Sequence, residues 1–520
     1  MLGLLSLFSF AQQRNIAENV DINQLRKLQM AQLAISQLYV DSVDQKKLVE
    51  DAIKGMLEGL DPHSAYSDAK ETKKLNEPLA GNFEGIGVQF NVLDDTLVVM
   101  QVIAKGPSEK AGILASDRIV SVDGRPIAGV KMERDSMVTL LRGPKDTKVR
   151  LGVVRHGVPE TIFFDLVRDK IPLNTLDAAY MIAPGVGYIH LNRFGATSGN
   201  EVHEKLVKLK SEGMKSLIFD LQDNGGGYLN AAQDVASEFL EKGKLIVYTE
   251  GLNQNRQTLN STGTGTFLDG KLVILANEQT ASAAEIVAGA VQDHDRGTII
   301  GRRTFGKGLV QRPVDLPDGS MIRLTIAHYY TPSGRCVQRP YEKGMKKKYQ
   351  EDFVNRFTHG ELSCIDSIHL DSTKVYYTLN EKRKVYGGGG VMPDIFVPLD
   401  TTRYTKFFTK ISRRNIITPL VLHYCINNRE NLKTQYAKFD DFIGDFRVPQ
   451  ELIDSVISEA KKQKIEPTDT AELEKCHEDL RWYLKTVIAY DVWDQNEYYK
   501  LWNTQNDVVN AALRHLRKKK

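Results

Sequence analysis

Two stretches of this 520-residue chain hold residue types that could make and break a covalent bond. The first is Asn277-Glu278-Gln279-Thr280-Ala281-Ser282-Ala283-Ala284-Glu285-Ile286, which follows an apolar run at 272–276. It opens a helix predicted to reach about Gln292. A serine at such a strand-to-helix junction sits where exposed backbone N–H groups and the helix dipole favour developing negative charge. The second is Gly301-Arg302-Arg303-Thr304-Phe305-Gly306-Lys307-Gly308-Leu309-Val310-Gln311. Its lysine lies between glycines, so the backbone there can approach another segment closely. Ser282 and Lys307 make a candidate Ser–Lys pair, and the spacing of Gln311 could set its amide against the lysine.

A serine hydroxyl is a poor nucleophile until a base takes its proton. Lysine can be that base only when neutral, so its ordinary pKa near 10.4 must come down by about three. Burial does this, and Phe305, Leu309 and Val310 are fitting neighbours. Glutamine can orient the amine, whereas a carboxylate in its place would hold the proton on. An oxyanion site needs two N–H donors. Ala283, next after Ser282, is one candidate. Gly226 or Gly227, in the run Asp220-Leu221-Gln222-Asp223-Asn224-Gly225-Gly226-Gly227 after a strand at 216–221, supplies the other. Glycine suits because its N–H can turn outward with no side chain in the way.

Rival readings of the same residues are weaker. Gly301-x4-Gly306-Lys307 copies the start of a phosphate-binding loop, but Gly308 stands where Ser or Thr must hold magnesium. His294 ends the helix that Ser282 begins, about 18 Å away, beyond hydrogen-bond reach. His190 and His328, on expected strands, read as satisfied core or surface histidines, and His63 as the brace of a turn. Taken singly, Ser282 is equally a helix N-cap and Glu285 a stabiliser of the first helical turn. Gly387–Gly390 reads as a mobile turn.

The elements that must position these residues follow from periodicity. Residues 22–80 read as an N-terminal helical region, with Leu25, Leu28, Leu33 and Leu38 near helical spacing until Asp61-Pro62-His63-Ser64 breaks it. Residues 81–168 change to short β-rich runs separated by glycine turns, with one helix near 131–141. Residues 169–400 alternate strand and helix signals, which argues for an α/β core. Within it, the polar stretch 341–386 reads as an insertion or long loop. Residues 401–520 read as mainly helical, and the basic run from Arg514 to Lys520 as a frayed, solvated tail.

Composition bounds the partners. A net charge of +3 gives no reason to expect nucleic acid as the main partner. The four cysteines, Cys336, Cys364, Cys425 and Cys476, contain no C-x-x-C pair, so a zinc site is unsupported, although one disulfide is allowed. Residues 1–11 read as a signal peptide with cleavage after Ala11, though without a positive n-region. The expected location is therefore outside the cytoplasm: periplasmic, or membrane-associated on the outer side of the inner membrane.

Between 85 and 124 a local series is visible: Gly85-Ile86-Gly87-Val88, Gly106-Pro107-Ser108, Ala111-Gly112-Ile113, Asp117-Arg118-Ile119 and Val122-Asp123-Gly124. It resembles a PDZ domain, in which a glycine-flanked loop holds a peptide's terminal carboxylate and the following strand pairs with the peptide. With Leu60-Asp61-Pro62-His63-Ser64, the glycine run at 220–227, Ala281-Ser282-Ala283-Ala284-Glu285, the segment 304–311, Thr331-Pro332-Ser333-Gly334-Arg335 and Pro393-Asp394-Ile395, the chain resembles the carboxy-terminal processing (tail-specific) serine proteases from about 25 to 398. The resemblance implies a multidomain α/β protein, with a crotonase-like protease core and an inserted PDZ domain. It implies Ser282 as nucleophile, Lys307 as general base, Gln311 as its orienter, and no metal or organic cofactor. Expected partners are protein or peptide substrates with accessible C-termini, with a homodimer and a regulatory partner protein as open alternatives. Arg142, in Leu141-Arg142-Gly143-Pro144, could couple the PDZ part to the core. The chain departs from the family in Gly225, where proline is usual, in the length of 341–386, and in residues 401–520. The competing reading is a catalytically silent, PDZ-bearing peptide-binding scaffold.

Overall fold

The structure, a computed structural model, describes residues 21–518. The expected signal peptide at 1–11 and the last two lysines lie outside them. Among the described residues, no helix is long and apolar enough to cross a membrane. The chain forms two compact units. One comprises 21–72, 311–325 and 341–352, and the other comprises 73–310, 326–340 and 353–518.

The first unit begins with α1 (Ile22–Leu38) and α2 (Gln45–Glu58), started by Asp21 and Asp44, whose carboxylates accept backbone N–H groups of the first turn. β1 (Ala65–Ser67) then pairs antiparallel with residues 321–323. The Asp61 turn before it is tightly bonded. Asp61 accepts from the N–H groups of His63 (2.9 Å) and Ser64 (3.0 Å) and from the Ser64 and Thr325 hydroxyls. Burial works against its charge, but these bonds prevail and hold the carboxyl below its usual range. His63 Nε2 meets the Tyr349 hydroxyl at 3.2 Å.

The second unit holds the remaining layers. After α3 (Ala69–Ala80) come β2 (Val88–Leu93), β3 (Thr96–Val102), β4 (Arg118–Val122), α4 (Arg134–Leu141), β5 (Lys148–Val154) and β6 (Ile162–Val167). Their sheet order is β2-β3-β4-β5-β6, so β2 is an edge strand. Leu97, Val99, Ile119, Leu151 and Met137 fill the space between this sheet and α4. Arg142 does reach beyond the segment: it pairs with Glu77 of α3 and lies 4.7 Å from the Phe83 ring.

The core follows as β7 (Leu176–Ala183), β8 (Val186–Leu191), α5 (Ser198–Ser211), β9 (Ser216–Asp220), α6 (Leu229–Ser237), β10 (Leu245–Gly251), β11 (Gln254–Asn260), β12 (Lys271–Ala276), α7 (Ala283–Asp293) and β13 (Thr298–Gly301). With β18 (Ile395–Phe396) the central sheet has the order β7-β8-β9-β12-β13-β18, parallel except for β7 against β8. Both faces are apolar, as a covered parallel sheet demands. Ile189, Leu217, Phe219 and Ile274 face α5, α6 and α7. Tyr188, Ile218, Val273 and Leu275 face α11 (Asp507–Arg517), through Val508, Val509, Ala512 and Leu516.

α11 corrects one expectation. As far as residue 518 the basic end is no frayed tail: Leu516 is buried, and Lys271 Nζ donates to the Leu516 and Lys518 carbonyls at 3.0 Å. Nor is 341–386 merely a loop. It contains α8 (Lys346–Thr358) and a hairpin of β16 (Val375–Tyr377) and β17 (Lys384–Tyr386). The hairpin β10–β11 and the strand β14 (Leu309–Asp315) were also not anticipated, whereas β15 (Met321–Tyr330) is the strand expected around His328. All four cysteines are free.

The C-terminal helices, α10 (Thr470–Val492) among them, form their own core and also touch the β2–β3 sheet. Leu422 and Ile426 of α9 (Ile417–Gln435) pack on Leu93, Val98 and Met100. Arg429 donates to the carbonyls of Met100 (3.1 Å), Val492 (3.0 Å) and Asp491. Burial pushes the Asp491 carboxyl up to about 7, and among the described residues its Oδ2 has no hydrogen-bond partner. A carboxyl whose pKa is higher folded than unfolded favours the fold when protonated. That contribution is full below pH ~4 and is lost as pH rises through about 7. Asp491→Asn should therefore raise the melting temperature by a few degrees, roughly 2–5 °C, at pH 8 and change it little at pH 4, as thermal denaturation will report.

Candidate active site

Ser282 is the residue before α7, at φ 57° and ψ −118°. N-caps ordinarily take extended dihedrals. A non-glycine residue in this sparsely populated region is strained, and strain of this kind gathers at functional sites. The surroundings enforce it. The Ser282 carbonyl accepts from the Tyr329 hydroxyl at 3.1 Å and from the Ile286 N–H at 3.0 Å. Ala281 N–H donates to the Asn224 carbonyl at 2.9 Å, and Thr280 Oγ1 to the Leu221 carbonyl at 2.8 Å. Asn277 and Asp223 exchange two further bonds. The serine segment is thus stitched along its length to the glycine run after β9.

That run is shaped by close contact. A Cβ on Gly226, at φ +95°, would stand 2.7 Å from Ser282 Cβ and 2.9 Å from the Ala283 nitrogen. One on Gly227 would enter the Phe194 carbonyl. Gly226 N–H is already committed to Asn224 Oδ1 at 2.8 Å, which removes it as an oxyanion donor. Among the described residues, the N–H groups of Gly227 and Ala283 donate to nothing. Gly225 differs: a Cβ there meets nothing within 4 Å, so neither glycine nor the family's usual proline is demanded by space. Gly225→Ala should keep the rate within about twofold and add about 0.4–1 kcal/mol of stability, chiefly by restricting the unfolded chain. Gly226→Ala should lower the rate at least about 100-fold, because it displaces Ser282. Reporter cleavage by the two variants in parallel tests the contrast.

Glu285 joins the serine segment to the lysine segment, a role the sequence reading missed. Its carboxylate is fully buried. Oε2 accepts the N–H groups of Ser282 and Lys307, each at 2.9 Å, and Oε1 accepts Thr304 Oγ1 (2.5 Å) and Gly306 N–H (2.8 Å). Burial raises its pKa, and the four donors oppose that rise. The position three residues after a helix-starting serine resembles a capping box, which hid the partners 19 to 22 residues further on.

The rest of the lysine segment is held as firmly. Arg302 pairs with Glu278 at 2.7 Å and Phe305 N–H donates to the Thr280 carbonyl at 2.9 Å. The Gly387–Gly390 turn, expected to be mobile, packs against it instead. Gly388 and Gly390 donate to the Cys336 and Val337 carbonyls, and a Cβ on Gly390 would stand 2.6 Å from the Thr304 carbonyl oxygen. Ser282, Ala283, Gly227 and the backbone of Lys307 therefore share one framework. Gln311 belongs to the first unit, where its amide donates to the His63 carbonyl at 2.7 Å.

The histidine rivals sit elsewhere. His294 Nε2 meets the Leu245 carbonyl at 2.7 Å, and His190 stacks on Tyr499 with its Nδ1 3.3 Å from Asp177. In the β2 segment, the Ile86 carbonyl accepts from Ser108 and the Gly87 carbonyl from Ile103, while among the described residues the N–H groups of Ile86 and Gly87 donate to nothing. Gly85 and Val88 flank these two free donors beside the open edge of β2.

Comparison with known proteins supplies the family. Residues 185–347 match peptidase family S41, residues 85–166 a PDZ domain, and residues 7–72 the N-terminal domain of the activating protease CtpB. Residues 407–494 match a family of unknown function. The carboxy-terminal-processing protease of Bartonella bacilliformis is 38% identical over 305 residues, 58% of this chain and 69% of that protein. Carboxy-terminal processing protease CtpA of Bacillus subtilis is 35% identical over 67% of this chain and 72% of its own length. Among solved structures, a photosystem II D1 C-terminal processing protease is 28% identical, covering 73% of this chain and 94% of that one, with a TM-score of 0.36. The chain belongs to the carboxy-terminal processing serine proteases of peptidase family S41 and carries a PDZ domain.

Proposed function

We propose that this protein cleaves unfolded polypeptides recognised near their free C-termini, through an acyl-enzyme on Ser282. The N–H groups of Ile86 and Gly87, within Gly85–Val88, take the terminal carboxylate, and the edge of β2 pairs with the residues before it. Lys307, neutral, accepts the Ser282 Oγ proton as Oγ attacks the scissile carbonyl, and Gln311 orients the amine. Ala283 and Gly227 donate to the resulting oxyanion. As the C–N bond breaks, the proton on Lys307 passes to the leaving amine. Lys307 then deprotonates the water that releases the acyl group, and returns the proton to Ser282 Oγ.

The observation that carries this reading is the strained Ser282 backbone beside two unspent N–H donors, tied through Glu285 to the lysine segment. A crotonase-like core and an exported location belong to the same proposal. The test is cleavage of a C-terminally tagged, unfolded reporter, against the same reporter with its terminal carboxylate amidated. Equal rates on the two would overturn recognition of the free terminus.

A further inference from the structure

The structure assigns Arg356 and Glu361 as positioning residues for the loop that carries Lys307, a role that rests on the reading of Lys307 as general base. Both lie beyond residue 347, where the match to the peptidase family ends, on a stretch that the sequence reads as an insertion. Both are nearly inaccessible, at 5% and 6% exposure.

Arg356, near the end of α8, spends its guanidinium on the backbone of the lysine segment. Nη1 donates to the Thr304 carbonyl at 3.0 Å and Nη2 to the Arg303 carbonyl at 2.7 Å. Its third nitrogen, Nε, donates to Glu361 Oε1 at 2.8 Å. Glu361 also takes the Arg303 side chain, with Nε at 2.8 Å and Nη2 at 2.5 Å. One buried carboxylate therefore locks two guanidinium groups, one on the loop and one on the strap across it. Phe305 is held from the same side: its ring lies 5.0 Å from that of Phe353, and Arg339 stacks 4.7 Å from Phe305 and 5.3 Å from Phe353.

The function of this arrangement follows from what it satisfies. A loop with glycines at 306 and 308 on either side of its lysine has little stiffness of its own. Glu285 fixes the N–H groups on one side of that loop, and Arg356 fixes two carbonyls immediately before it. Burial, with Arg303 beside it, brings the Arg356 pKa down to about 10, so the group is still charged at neutral pH and its bonds are charge-assisted. Lysine cannot replace it, because an ammonium lacks the planar fork that reaches two carbonyls and a carboxylate together.

The test uses the full chain as Arg356→Lys and Glu361→Gln, with three readouts. Arg356→Lys should lower kcat on the tagged reporter about 10–100-fold while KM stays within about twofold. The acid limb of the kcat–pH profile should move to higher pH, because a loosened loop leaves the lysine better hydrated and harder to deprotonate. Amide hydrogen exchange over 303–309 should accelerate. Glu361→Gln should shift all three in the same direction. Unchanged kcat, acid limb and exchange in both variants would overturn the assignment. So would a fall in kcat that merely follows a lost folded fraction, with the acid limb and exchange unmoved. If wild type cleaves nothing, or Ser282→Ala still cleaves, the general-base reading fails instead. Exchange then decides positioning alone: faster exchange over 303–309 upholds it and unchanged exchange overturns it.

Discussion

Replacing Ser282 or Lys307 with alanine should each reduce cleavage of a tagged, unfolded reporter to background, a loss of about 10⁴-fold or more, with the fold retained. The fold should survive because the bonds that hold this region are made by main chain. Glu285 accepts the backbone N–H of both residues, and the Tyr329 hydroxyl donates to the Ser282 carbonyl. Alanine keeps every one of these and removes only the groups proposed to react. The pH dependence carries a sign. A lysine acting as base works when neutral, so the wild-type rate should rise with pH through one titration below the ordinary lysine value. Lys307→Arg, always charged, should stay inactive up to pH 10. Cleavage by Ser282→Ala would remove the serine from the mechanism. Wild type that binds a tail peptide tightly and cleaves nothing would instead favour the scaffold reading.

The parts of the site that were legible in the sequence share one property: their meaning is local. Ser282 stands at a strand-to-helix junction, Lys307 between glycines, and Gly226–Gly227 directly after a strand, so residue type and neighbours suffice. The same holds for Gly85–Val88, whose loop geometry is built from adjacent residues. What escaped was long-range or disguised. Glu285 looked like an ordinary first-turn carboxylate because three of its four partners come from 304–307, and no pattern near 285 names them. Gly226 and Gly227 could not be told apart until the Asn224 side chain was seen to take one of the two N–H groups. α11 was masked by its charge. Lysines and arginines at its end suggested a solvated tail, while Val508, Val509, Ala512 and Leu516 were covering one face of the central sheet. The stretch 341–386 is polar in composition, yet among its few decisive residues Arg356 and Glu361 are buried and Phe353 is half-buried.

Changing Glu285 to glutamine should lower kcat about 100- to 1000-fold, although the two side chains have the same shape. Each carboxylate oxygen accepts from two donors. An amide keeps one acceptor and turns an N–H₂ toward the other pair; even if the Thr304 hydroxyl accepts from it, the Gly306 N–H is left facing a donor, and every remaining bond loses its charge assistance. Hydrogen bonds to charged groups contribute about 1.5–3 kcal/mol each, and a stranded buried donor costs about 1–3. Several kcal/mol of alignment between the serine and lysine segments would be lost, enough for the expected fall in rate. A role confined to the helix dipole predicts something different: about 0.3–1 kcal/mol of stability and no change in kcat. The distinction is measurable with kcat, melting temperature and tail-peptide affinity together. Affinity should hold, because the Ile86–Gly87 loop shares no bond with Glu285, while kcat falls much further than stability alone would carry it. If kcat instead stays within about twofold of wild type, the shared carboxylate does not align the two segments, and their registration must come from the glycine run and the residue 356 strap.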